Sequence, residues 1–284
     1  METHLDAGRE AALAPAFARP WNARFVLPRF VRAGLMAMLF FFFFAGSPII
    51  ALVIFPWLRL TSGQRFKDRS THLLYLGMWF IARLARLLGL VDLDLPGMPA
   101  SIDRRKPYVL VSNHPTYIDM IVILGTFPEL TCVTNGRWWK HWALGRLLRA
   151  TNYLPGPGSG LPESDEMLES MVNHLRAGHP LLVFPEGQRS LPDRLRRFRR
   201  GAIEAAVAAN VPIVPLFMGI DQPYLTKSVP LWRPPSRPLK YTFRWQEPID
   251  PAAFDHDGKR IQKHIEAIYE ALFREQQQAH ALLR

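Results

Sequence analysis

The sequence predicts an α/β protein: a layered mixed sheet flanked by helices, with an N-terminal hydrophobic helical membrane element. Two observations carry this. Residues 33–58 form a run of 26 without a single charge, longer than the roughly 20 apolar residues a helix needs to cross a bilayer. From Tyr108 onward, short apolar runs alternate with segments of helical period, the pattern of strands and helices in layers. Three parts follow: a loose segment over 1–28, rich in Ala, Pro and charge; a membrane-associated helical element over 29–92; and an α/β domain over 93–284.

Within the first apolar run, Gly46-Ser47-Pro48 is expected to break the helix near its middle, because proline lacks the amide donor. Two arms of about a dozen residues would result. Both flanks are basic, with Arg24, Arg29 and Arg32 before and Arg59, Arg65, Lys67 and Arg69 after. That symmetry suits a hairpin whose two ends stay on the cytoplasmic face more than it suits a full span, the alternative for a run of this length. Five consecutive phenylalanines, Phe40 to Phe44, leave the run no polar face of the kind a core helix presents. Residues 72–91 are apolar but interrupted by Arg83 and Arg86, which predicts an amphipathic helix at an interface or over the core.

In the α/β part, residues 108–111 read as a buried strand followed by a helix starting near Tyr117. Residues 131–134 are a second short strand, and 137–150 a basic helix carrying Trp138, Trp139 and Trp142. Ser164 is placed as an N-cap with Asp165 and Glu166 in the first turn. Leu168, Met171, Val172 and Leu175 keep helical spacing, and Gly178 closes the helix. A strand over 181–184, a helix over 202–209 and a strand over 211–217 come next. Residues 240–245 are expected to form an edge strand. A last helix from about Gly258 aligns Ile261, Ile265, Ile268 and Leu272.

Composition narrows the partners. A formal net charge of +11 and a pI of about 10.2 call for an anionic partner. The apolar segment favours an anionic membrane surface over nucleic acid, for which no recognition motif is present. A cationic run at Arg194, Arg196, Arg197, Arg199 and Arg200 suits lipid headgroups or an acidic carrier protein. One cysteine, Cys132, excludes an intramolecular disulfide framework and fits a reducing compartment. No zinc-type Cys/His cluster, P-loop or G-x-S-x-G elbow occurs, so neither a metal nor a serine acyl-enzyme has support.

The chemistry-bearing residues lie where strands end. His114 follows the 108–111 strand, and Asp119, five residues on, stands near the first turn of the next helix. A carboxylate that accepts one ring N–H fixes the tautomer and raises the basicity of the other nitrogen. Beyond the 181–184 strand come Glu186, able to hold hydroxyls or brace the loop; Gly187, which permits close backbone approach; and Arg189, able to grip phosphate with two parallel bonds.

Asn113-His114-Pro115-Thr116-Tyr117-Ile118-Asp119 resembles the NHxxxxD motif of the glycerolipid acyltransferases, the 1-acylglycerol-3-phosphate acyltransferase family. Phe184-Pro185-Glu186-Gly187-Gln188-Arg189-Ser190 resembles that family's FPEGTRS, with Gln188 in place of threonine. Arg200-Gly201-Ala202 is similar to the KxG-type element that follows. Val211-Pro212-Ile213-Val214-Pro215 is similar to the closing VPIVPV, with Leu216 in the last place. Order and spacing agree over residues 105–220.

The resemblance implies that His114 and Asp119 are a catalytic dyad and that Glu186, Gly187 and Arg189 bind the acceptor. The donor would be an acyl-CoA or acyl carrier protein thioester, with no cofactor. A thioester is activated enough for direct attack by a hydroxyl, given a base and an oxyanion stabiliser. The implied activity is O-acyl transfer to a lysophospholipid, 1-acyl-sn-glycerol-3-phosphate by default, in phospholipid biosynthesis at the cytoplasmic face of an inner membrane. One departure stands out: the family's second motif ends in an arginine, whereas residues 150–156 here read ATNYLPG. Arg137, Lys140, Arg146 or Arg149 are candidate substitutes. The alternatives are a carrier protein-dependent transferase acting on a non-glycerophosphate hydroxyl and a non-catalytic membrane-binding scaffold.

Overall fold

The computed structural model describes residues 27–94, 98–158, 164–191 and 193–282. The expectation for the loose N-terminal segment falls almost wholly outside them. The first helix, α1 (Arg29–Ile49), does not break at Gly46-Ser47-Pro48. Pro48 cannot donate to the carbonyl of Phe44, but the Ser47 hydroxyl donates to that same carbonyl at 2.8 Å. The chain then widens into a π-helical turn, Ile50–Ile54, a common way to absorb a proline without stopping a helix. It continues as α2 (Phe55–Ser62). The reversal comes later, at Gly63, whose φ is +54° and ψ −126°. A short 3₁₀ turn, Gly63–Arg65, leads into α3 (Phe66–Leu87). The hairpin thus turns about fifteen residues later than the sequence suggested, because serine supplied the partner that proline had orphaned.

Arg29–Leu87 is a helical run long and apolar enough, by length and composition, to cross a membrane. Its two faces differ in partner. Met36, Leu39, Phe55, Leu74, Met78, Ala82 and Ala85 are buried, while Phe41, Phe42, Val53, Trp57, Phe80 and Leu87 are exposed. The spacing Leu74, Met78, Ala82 and Ala85 is the i, i+4, i+8, i+11 stripe of a helix packed on one side. Arg32 is buried beneath the hairpin and donates to the carbonyls of Leu27 and Pro235.

The hairpin lies on a seven-stranded sheet of order β1-β7-β6-β2-β5-β3-β4. Its strands are β1 (Val91–Asp94), β2 (Val109–Ser112), β3 (Thr131–Thr134), β4 (Leu154–Pro155), β5 (Leu181–Val183), β6 (Ile213–Ile220) and β7 (Leu239–Trp245). All neighbours are parallel except β6 and β7, which pair Leu216 with Trp245 and Ile220 with Tyr241. The 240–245 segment is therefore an interior strand, not an edge. Val91 to Asp94 pairs outside it, and a four-residue VDLD run is too short and acidic to announce itself as a strand.

Strand side chains alternate between two cores, as period two requires. Leu110, Leu182 and Val214 face the hairpin and α4 (Asp119–Leu124). Val109, Val111, Leu181 and Ile213 face the other layer. That layer holds α7 (Ser164–Arg176), α8 (Gly201–Ala209) and α9 (Gly258–Leu282), the last burying Ile261, Ile265 and Tyr269. The basic 137–150 segment is two short helices, α5 (Gly136–Lys140) and α6 (Leu144–Arg149). They part at His141, whose ψ of 133° is extended.

Candidate active site

Two loops leave the carboxyl ends of adjacent parallel strands, β2 and β5, where open α/β sheets place their ligands. The first is fixed by Asn113, whose side-chain amide donates to Met218 O at 2.8 Å and accepts from Met218 N at 2.6 Å. This two-bond pairing replaces the backbone ladder just as β2 ends. Tyr269 of α9 adds a bond to Val111 O at 2.7 Å. The chain can then turn sharply at His114-Pro115 on a rigid footing.

His114 Nδ1 lies 2.8 Å from Asp119 Oδ2. The same carboxylate accepts the Thr116 amide at 2.7 Å and the Thr116 hydroxyl on its other oxygen at 2.5 Å. Tyr241 of β7 approaches Asp119 Oδ1 at 3.1 Å and makes a short contact with the Thr116 hydroxyl. Asp119 is wholly buried, so these donors replace the water it has lost. An ionised carboxylate only accepts, so Nδ1 of a neutral His114 carries the ring proton and Nε2 keeps its lone pair. One face of the imidazole stacks on Phe184, centroids 4.3 Å apart and planes 22° apart. The His114 side chain stays 21% exposed, enough for a substrate to reach it.

The second loop wraps around a buried glutamate. Glu186 Oε1 accepts from the Ser190 hydroxyl at 2.5 Å and from the backbone amide of His114 at 3.3 Å. Its Oε2 accepts from the Arg196 amide at 3.0 Å. Ser190 N donates to His114 O at 2.7 Å, so the two loops are stitched directly. Burial raises the Glu186 carboxyl above its ordinary range, with the bonds from Ser190, Arg196 and His114 opposing. Both oxygens face protein donors, and in this geometry Glu186 braces the His114 turn. Gly187 has a φ of +68°, and a Cβ there would lie 3.0 Å from Arg199 Nε. The left-handed backbone favours glycine here, while the exposed Arg199 side chain could swing aside from a Cβ. Arg189 lies with its guanidinium 3.4 Å from the centroid of Tyr117, which anchors a cation beside the His114 loop.

The sequence missed Tyr241 because nothing local marks a strand tyrosine as the partner of a carboxylate 122 residues away. Thr116 was within reach of inspection, since a hydroxyl three residues before an aspartate at a helix start is a local capping arrangement. The missing arginine also has a structural counterpart. At Gly156, a Cβ would meet Thr134 O at 2.8 Å, so no side chain fits there. Of the four candidate substitutes, Arg149 is committed to Trp139 O at 2.8 Å, and Arg137, Lys140 and Arg146 stand exposed on α5 and α6. Among the described residues no cluster of His, Cys, Asp or Glu could hold a metal ion.

A narrow apolar cavity opens between α1, α3 and the helix that carries Asp119, lined by Met36, Phe40, Ile81, Ala85, Ile118 and Val122 among others. It offers carbon surface alone.

The Acyltransferase family model matches residues 97–219, which contain both loops. The chain is 25% identical over 232 residues to the 1-acyl-sn-glycerol-3-phosphate acyltransferase of Cocos nucifera, covering 78% of this chain and 67% of that one. It is 31% identical over 149 residues to the Salmonella typhimurium enzyme of the same name, covering 51% and 59%. It is 32% identical over 126 residues to the human alpha form, where 43% and 44% are covered; the matches to these last two thus span about half of each relative. The crystal structure of the 1-acyl-sn-glycerophosphate acyltransferase from Thermotoga maritima superposes with a TM-score of 0.63 at 20% identity, over 87% of this chain and 97% of that one. Residues 97–219 thus match the Acyltransferase model, and by motif order and fold the chain is similar to the 1-acyl-sn-glycerol-3-phosphate acyltransferases.

Proposed function

We propose that the protein is a membrane-seated O-acyltransferase that moves an acyl chain from a thioester to the free hydroxyl of a lysophospholipid, 1-acyl-sn-glycerol-3-phosphate being the first choice. The observation that carries this reading is the His114–Asp119 pair, with its carboxylate buried and its imidazole open on one side. His114 Nε2 takes the acceptor's hydroxyl proton as the oxygen attacks the thioester carbonyl. The tetrahedral intermediate collapses, the carbon–sulfur bond breaks, and the imidazolium returns the proton to the departing thiolate. Asp119 holds the ring and stabilises the transient positive charge without taking a proton itself.

Arg189, held beside the His114 loop, suits a headgroup phosphate. The exposed aromatic face of the hairpin suits burial in a bilayer, with the catalytic domain on the cytoplasmic side of the inner membrane. The donor is an acyl-CoA or an acyl carrier protein thioester. A second reading draws on one observation, the sterically closed Gly156 where a phosphate-binding arginine would be expected: the acceptor is then a hydroxyl without a glycerol phosphate. Purified protein assayed with both thioesters against a panel of acceptors separates the two. Acylation of lysophosphatidate supports the first; acylation of a non-phosphate hydroxyl alone supports the second. Failure to consume thioester with any acceptor would sink both.

A further inference from the structure

We propose that the α5–α6 segment is a second membrane contact, a tryptophan-and-arginine foot that rests on anionic lipid beside the hairpin. The proposal rests on the membrane seating proposed above. Four observations carry it. Trp138 and Trp142 are 41% and 59% exposed, although tryptophan is on average a highly buried residue. Trp138 lies against Phe44 of the hairpin, ring centroids 6.1 Å apart, so the exposed aromatic surface of α1 runs on without interruption into α5. The segment is held there, not loose: Trp139, pointing the other way, donates to the Thr134 hydroxyl at 2.6 Å, and Arg149 ties α6 back to Trp139 O. Finally, no acidic residue occurs between Glu129 and Glu163, while Arg137, Lys140 and Arg146 are exposed on the same two short helices.

An indole has an apolar body and one N–H donor, and such groups concentrate at the level of the headgroups. Neighbouring cations gain from an anionic leaflet and need no specific pocket. Continuity with the hairpin decides between a bilayer and other occupants, because a protein docked on Trp142 would have to share the surface that Phe44 presents to lipid. The consequence is orientation. A hairpin alone lets the α/β domain rock about one attachment; a foot on the same side of the sheet fixes its tilt, and with it the approach of the His114 loop to the leaflet.

The test uses a spin label at one position in the full-length protein. Cys132, the one native cysteine, is buried and its thiol is pushed up to about 12 by burial, so labelling is confined to the introduced site. Trp142→Cys and Lys263→Cys are labelled separately; Lys263 is exposed on α9, in the layer across the sheet from the hairpin. Each is bound to vesicles of phosphatidylcholine with and without phosphatidylglycerol, and recovered by flotation. The proposal expects the label at 142 to be more accessible to oxygen than to a water-soluble nickel complex, more so with phosphatidylglycerol present, and the label at 263 to show the reverse. Protein that fails to float overturns the membrane seating itself. Protein that floats with an aqueous label at 142 overturns the foot alone. Dipolar broadening between labels at 142, with aqueous accessibility, assigns the surface to a second copy instead. As a functional readout, Trp138→Ser with Trp142→Ser is expected to slow acylation of a vesicle-borne acceptor while sparing a detergent-dispersed one. Equal rates with wild type on vesicles count against the proposal.

Discussion

Removing the Tyr241 hydroxyl isolates the part of the active site that works through Asp119 without touching substrate. Burial and the neighbouring Asp119 raise the Tyr241 phenol well above its ordinary value, so at any assay pH it is a donor. Its proton goes to the Thr116 hydroxyl or to Asp119 Oδ1, and Thr116 in turn donates to Asp119. A hydrogen bond to a charged acceptor contributes about 1.5–3 kcal/mol. In Tyr241→Phe the Thr116 bonds remain, so the lower end, about 1.5 kcal/mol, is the reasonable loss. If that loss falls on the orientation of the imidazolium formed in the transition state, it corresponds to roughly a tenfold fall in kcat. The acceptor's KM should hold, because Tyr241 is buried and meets no substrate. Steady-state kinetics with a thiol-trapping reagent, alongside a thermal melt, make the test. A lower melting temperature with unchanged kcat would show that the network only stabilises the fold. A raised KM with unchanged kcat would show that the hydroxyl shapes acceptor binding, and either result refutes the positioning argument.

Other perturbations separate the remaining parts. His114→Ala should lower acyl transfer by about 10²–10⁴-fold, the span of general acid–base catalysis, with vesicle flotation unchanged; retained turnover would remove His114 from its role. Glu186→Gln removes a carboxyl whose native value is raised by burial. The folded state then binds that proton more tightly than the unfolded chain, so wild-type stability relative to the Gln variant should fall as pH rises from the ordinary value of 4.5 through the raised native value. Paired melts from pH 4 upward measure this, and a flat difference contradicts the assigned cause. Replacing the exposed Phe41, Phe42, Val53 and Trp57 with serine should release protein from vesicles with little change in melting temperature. The buried Met36 and Phe55, changed to alanine, should instead each cost about 2–5 kcal/mol of stability. If the two sets behave alike, the two-faced reading of the hairpin is wrong.

The strands over 108–111 and 181–184, and the loops beyond them, were legible because each is a local pattern. An apolar run ends at a residue that cannot continue it, and chemistry-bearing side chains follow. Where local reading failed, a neighbour had changed the rule. Pro48 was expected to stop a helix, and the Ser47 hydroxyl one residue back kept it going. The 240–245 strand was expected at an edge, and a short acidic strand from far upstream covered it. The basic tryptophan helix was expected to be continuous, and the extended backbone at His141 divided it.

Local pattern suffices to read which residues stand at the ends of β2 and β5 and that a charge-free run precedes them; that a closing arginine is absent from residues 150–156 is what the family resemblance implies. The spacing of side chains along the backbone carries the local part of that information. Only the tertiary structure decided that Glu186 turns inward to brace His114, that Tyr241 completes the donors around Asp119, and that Phe44 meets Trp138. Those contacts depend on the order in which strands lie side by side and on where the hairpin reverses. Both are set by the packing of the whole chain, which joins residues from 72 to 122 positions apart.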